Sequence, residues 1–217
     1  VKLIGRIDLS TGDAGRPLDA EAFRHPAFNW PAFEAAYDPA TWGRRPPAGA
    51  HEDARAASAR AQAARVVLEV PSRTTLIGLG AGTQIVNGGL LLDHVSDVIV
   101  RNLHFRDAYD HFPAWDPLDG AQGNWNSAHD NLSLRGATRV WIDHCTFDDG
   151  DRPDDSEPRR FGRPMQRHDG LLDMTRGANL VTVSWSHFRD HDKTSLVGGS
   201  DRHVEDEGRL KVSFHHN

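Results

Sequence analysis

The chain has 217 residues, with 25 Lys and Arg against 31 Asp and Glu, a net charge of −6 and 38% hydrophobic content. That is enough for one sizeable core, and an acidic chain with no basic stripe or aromatic platform excludes a nucleic-acid binder. No run nears the roughly 18 apolar residues of a membrane span, and the lone Cys145, inside an apolar run, reads as a buried thiol with no disulfide partner.

Residues 1–9, VKLIGRIDL, read as a strand already under way. Residues 10–65 read as an irregular segment. PAFNWPAFEAAYDPATW (26–42) is expected to lie across the core as a long surface stretch, and EDARAASARAQAAR (52–65), free of Gly and Pro, predicts a covering helix with a solvated basic side. From residue 66 the pattern turns to short β-rich runs: 66–70, 74–79, 84–88, 90–95, 97–105, 130–134, 139–147, 180–188 and 210–217. Three of them share one form, ending in Phe105, Phe147 and Phe188, which are 42 and 41 residues apart. This is a degenerate repeat at solenoid spacing, and it predicts one all-β domain over 1–217. Its coils, from 66 to 217, carry the long polar loops 106–129, 148–168 and 198–207. A doubly wound α/β fold lacks its helices here. An antiparallel sandwich is compatible with the alternation but not with the recurrence.

In a solenoid, Asn102, Asp143, His144, Ser184 and His215, near strand ends, read as structural turn residues, as do Asn131 and Asn179. Trp141 and Trp185, on strands, are expected in the core, whereas Trp115 and Trp125 either line a groove or pack inside.

HDGLLD (168–173) sets Asp169 and Asp173 four apart, on one face of a helical turn or curled round an ion in a loop. Close carboxylates repel unless a positive charge sits between them. With no Cys nearby, a hard cation such as Ca²⁺ suits them, and Asp130 is placed to add a third carboxylate from the neighbouring coil. His168 either tunes that pair or faces solvent. Lys193 either meets a substrate carboxylate or is tied to Asp190 and Asp192.

GNWNSAHDNLSLRGATRVWIDHCTFDDG (123–150) and RHDGLLDMTRGANLVTVSWSHFRDHDKTSLVGGSD (167–201) closely resemble the pectate lyases of the first polysaccharide lyase family, and YDPATWGRRPP (37–47) and RDAYDHFPAWDPLDG (106–120) extend the resemblance over the chain. It implies a right-handed parallel β-helix and Ca²⁺-dependent β-elimination of polygalacturonate to 4,5-unsaturated oligogalacturonides. It also implies secretion by a bacterium. By resemblance Asp130, Asp169 and Asp173 match the calcium ligands, and Lys193 matches the lysine that neutralises the substrate carboxylate. The family's base is an arginine on the coil after the H-H-N strand, which places it beyond Asn217; Arg163, Arg167 and Arg209 do not match it. The chain therefore reads as a fragment truncated at both ends, otherwise a monomer, that a companion fragment supplying the last coils would complete. Pectin lyase, which handles esterified chains, does not call for this carboxylate set. The competing class is a calcium-dependent polyuronate-binding or structural β-helix without catalysis.

Overall fold

The nine-residue apolar runs do not stay straight. DVIVRNLHF, RVWIDHCTF and LVTVSWSHF each divide into two strands: Ser96–Arg101 and His104–Arg106, Thr138–Asp143 and Thr146–Asp148, Asn179–Ser184 and His187–Phe188. The bends fall at Asn102, His144 and Trp185, whose φ angles of 52°, 51° and 50° are left-handed. That conformation costs a side-chain-bearing residue roughly 1–2 kcal/mol. The hydrogen-bond ladder offsets it by running on through each corner, since Asn102 N donates to Asp143 O, His144 N to Ser184 O and Trp185 N to His215 O, all at 3.0–3.2 Å. The hydrophobic pattern hides the bend because the next residue, Leu103, Cys145 or Ser186, is buried again.

In the computed structural model, which describes residues 1–217, these strand pairs form two sides of a three-sided coil. The third side precedes them as Val67–Glu69, Gly89–Asp93, Leu132–Arg135 and Leu172–Thr175. Equivalent strands pair in parallel and in register: Leu132 with Leu90 and Leu172, Val140 with Val98 and Val181, Phe147 with Phe105 and Phe188. The product is a parallel β-solenoid with sheets of four, six and five strands. One coil is the repeat read from the sequence. Inward side chains stack on their own kind, and the phenylalanine rings lie 5.1 and 5.0 Å apart with planes inclined by 6°.

Residues 1–9 form two strands, Lys2–Leu3 and Arg6–Asp8, because Gly5 turns the chain at φ 71°. The segment expected to be irregular holds helices at Ala20–Phe23, Trp30–Tyr37 and Pro39–Trp42 before the helix Ala50–Val66. The signals were local: Asn29 Oδ1 caps Ala32 N at 3.0 Å, and Phe33 and Tyr37 supply a buried face. Nor is the last helix's basic side wholly solvated. Arg55 is buried, paired with Glu52 at 2.7 Å and donating to Phe112 O at 2.6 Å, while Gln62 holds Tyr109 O and His111 N. The helix thereby pins the loop that leads to Asp130.

The tryptophans sort by pleat. Val140 and Ile142 take the inward positions, which turns Trp141 outward at 40% exposed, and Trp185 sits on a corner at 54%. The expectation of two core residues is thus overturned. Trp115 and Trp125, on the hairpin Ala114–Asp116 and Asn124–Asn126, are the buried pair, with Phe161 stacked on Trp125 at 5.4 Å. No helix is long and apolar enough to cross a membrane.

Candidate functional site

Asp130 precedes the strand Leu132–Arg135, and Asp169 and Asp173 flank the start of Leu172–Thr175 one coil later. The two approaches are sewn together: Asp169 N donates to His129 O at 3.2 Å, Asn131 N to Gly170 O at 3.1 Å, and Gly170 N to Asp130 Oδ1 at 2.8 Å. Asp169 and Asp173 therefore lie on an extended chain, with no helical turn between them. Leu172 and Met174 point inward, so Asp173 points out, and Leu196 N donates to its Oδ1 at 3.1 Å. Ser133 Oγ donates to Asp130 Oδ2. Lys193 is not tied to Asp190 or Asp192: its Nζ donates to Asp169 Oδ1 at 3.0 Å. Asp169, Asp173 and Lys193 line an open cavity of about 320 Å³ with Gly170, Ser195 and Leu196.

The electrostatics are those of crowded acids. Burial, then the charges of Asp173 and Asp169, push Asp130 up to about 7. Burial, with Asp169 adding to it, pushes Asp173 up to about 6 against the opposing pull of Leu196 N–H and Lys193. The Lys193 ammonium touches Asp169 and, with His191, bears on Asp173. Nowhere, however, do three His, Cys, Asp or Glu side chains already converge into a closed metal cage. The carboxylates share one patch, with Asp169 turned onto the lysine.

His168 does not face solvent. It is buried, with Nδ1 2.8 Å from Asp154 Oδ1 and Nε2 3.0 Å from Asp107 Oδ1. Burial disfavours its charged form, but these two carboxylates outweigh that and raise it to about 9, so it is an imidazolium. Arg167 is turned away, donating to Asp110 O and His111 O and pairing with Glu157. No arginine lines the cavity at Asp173. His144 is exposed at the corner after Thr138–Asp143, its Nδ1 2.7 Å from Asp143 Oδ2, as a turn residue. Cys145 is buried in the core, where desolvation lifts its thiol to about 12.

Two residues escaped sequence reasoning. A Cβ on Gly170 would lie 2.3 Å from Asp173 Oδ1, so the acidic patch depends on a glycine there. Asp149, 4% exposed, accepts from His191 Nδ1 at 2.8 Å across 42 residues. That separation is one repeat, and it was the available signal.

A family model described as pectate lyase matches residues 48–217. A pectate lyase of Bacillus subtilis (strain 168) is 46% identical over 213 residues, 98% of this chain and 50% of that protein. Pectate lyase D of Dickeya chrysanthemi is 42% identical over 157 residues, 72% of this chain and 39% of its own length. Among solved structures, a pectate lyase bound to a hexasaccharide superposes with a TM-score of 0.96 at 44% identity, covering all of this chain and 54% of that one. The chain thus spans 39–54% of the length of these relatives.

Proposed function

The chain belongs to the pectate lyase family, and from that membership we propose that the protein cleaves polygalacturonate by calcium-dependent β-elimination, releasing 4,5-unsaturated oligogalacturonides outside the cell. The observation that carries this is the gathering of Asp130, Asp169 and Asp173 on adjoining coils beside Lys193.

A calcium ion fits the donor set. All three side chains offer hard oxygen, and two are raised by burial and then by their neighbours' charge despite Lys193 and His191 beside Asp173, so the patch is short of positive charge. Asp130, Asp169 and Asp173 would hold the ion. When bound, it supplies a fixed positive charge against the uronate carboxylate, where negative charge grows as the C5 proton leaves. Lys193 Nζ, now on Asp169, is the donor placed to pass to that carboxylate. The C5–H pair then becomes the C4–C5 double bond as the C4–O bond breaks, so no water is consumed and no acid/base carboxylate pair is required, unlike a glycosidase. Asp130, held by Ser133 and by Gly170 N, keeps its orientation throughout.

Proton abstraction is assigned to an arginine on the coil that follows Val212–His215. That no arginine of this chain lines the cavity favours one second reading, a calcium-dependent polyuronate binder without turnover. Incubation with polygalacturonate, with and without a calcium chelator, separates the two. Growth of the ultraviolet absorbance of unsaturated uronate, abolished by chelator, supports the lyase. Calcium-dependent retention on polygalacturonate with no absorbance change supports the binder, and the absence of both signals overturns both readings.

A further inference from the structure

Resting on the reading of a calcium-dependent polyuronate site, we propose that Asp149 is its positioning residue: with His168 and His191 it forms a buried clamp that fixes the spacing of Asp169 and Lys193.

Asp149 is the residue after the strand Thr146–Asp148, which is paired on both sides, to His104–Arg106 and to His187–Phe188. It is therefore mounted on the rigid part of the solenoid. From there its carboxylate bonds one imidazole and lies close to a second, and the two arrive on separate loops. His191 Nδ1 is hydrogen-bonded to Asp149 Oδ2 at 2.8 Å, whereas His168 Nδ1, bonded to Asp154 Oδ1 at 2.8 Å, stands 3.9 Å from the same Asp149 oxygen, a longer-range contact. Both imidazoles are buried, with side chains 2% and 3% exposed.

Each histidine is next to a group of the acidic site. His168 directly precedes Asp169, and His191 stands two residues before Lys193. The His168 side is closed further by Asp154, whose Oδ2 accepts from Arg167 N at 2.9 Å, and by Asp107 on Nε2. The Lys193 side has less support. Asp190 and Asp192 keep their side chains largely in solvent, at 66% and 77% exposed, so the segment after Arg189 is drawn inward through His191 until Thr194 O accepts from Leu172 N. The 3.0 Å contact of Lys193 with Asp169 joins two loops that the Asp149 clamp also joins from beneath. Hydrogen bonds in a water-poor interior are stronger than at the surface, and the outer groups around a metal site set the aim of its ligands. A carboxylate shared by the two loops is the part that holds the ammonium at salt-bridge distance from the acid.

The test is Asp149→Asn in the intact protein, with calcium binding measured by calorimetry without substrate, and thermal unfolding recorded alongside. We expect the variant to fold and to bind calcium ten- to a hundredfold more weakly, about what loss of such an outer partner does elsewhere, with KM for polygalacturonate raised more than kcat falls. Asp143→Asn, an equally buried carboxylate on another sheet, is the control for stability alone and should leave calcium affinity within about twofold. His191→Asn retains a donor near the Nδ1 position and should keep most of the affinity; His191→Gln carries its donor further out and should lose it. That pair decides the matter if Asp149→Asn does not fold. Wild-type affinity in Asp149→Asn, or equal behaviour of the two His191 variants, overturns the clamp. Failure of the wild type itself to bind calcium overturns instead the calcium reading on which it rests.

Discussion

A Cβ built on Gly170 would stand 2.3 Å from Asp173 Oδ1, 2.7 Å from its Cγ and 2.9 Å from Oδ2, where ordinary contact begins at 3.4 Å. Gly170→Ala must therefore drive the Asp173 carboxylate back from 2.3 to at least 3.4 Å, a retreat of about 1 Å, breaking its bond from Leu196 N. The obstacle is the end of a rotatable side chain, and no left-handed φ is needed at Gly170, so the fold should lose little: about 1 kcal/mol, or a Tm lower by no more than about 4 °C. The site should lose more. A ligand displaced by about 1 Å is expected to weaken calcium binding ten- to a hundredfold, or about 1.4–2.7 kcal/mol. Calorimetric titration of chelator-treated protein reads this directly. Gly82→Ala, whose added Cβ meets nothing within 4 Å, is the control and should change neither quantity. Wild-type calcium affinity in folded Gly170→Ala protein would refute the assignment of Asp173 to the ion.

Phe147 is the middle of the phenylalanine ladder and fully buried, so Phe147→Ala forfeits both stacked neighbours and should cost about 3–5 kcal/mol in urea unfolding; a loss below about 1 kcal/mol would show that the ladder is not a stabilising core. His111 is held well below the usual imidazole range, at about 4, by burial and then by the charges of Arg152 and Arg167. The unfolded chain thus binds the extra proton between about pH 6.5 and 4, and stability contributed by neutral His111 is full above that window and falls as pH drops through it, by at most about 1.4 kcal/mol per pH unit. His111→Gln should flatten this part of the stability–pH curve, and an unchanged slope would remove His111 as its source.

The acidic residues and the lysine were legible in the sequence because each stands beside an apolar run, and the 41–42 residue recurrence told which runs share a sheet. The inward ladder was legible for the same reason: alternation is a local property, and Val98, Val140 and Val181 obey it on three successive coils. The corners were not. A left-handed residue such as His144 or Trp185 leaves no mark on hydrophobicity, and it is tolerated only because a neighbouring coil accepts its N–H. The outward turn of Trp141 followed from register, and the helices of residues 20–42 were overlooked despite their local caps. Lys193 had three acids within reach along the chain and nearby, and only the path of the loops chose Asp169. The sequence by itself therefore determined the repeat, the core ladder and the chemical character of the site, all carried by residue type and spacing. Tertiary structure alone decided the bends, the partner of Lys193 and the burial of His168, His191 and Asp149 near one another, because those depend on contacts between segments from about twenty to some forty residues apart.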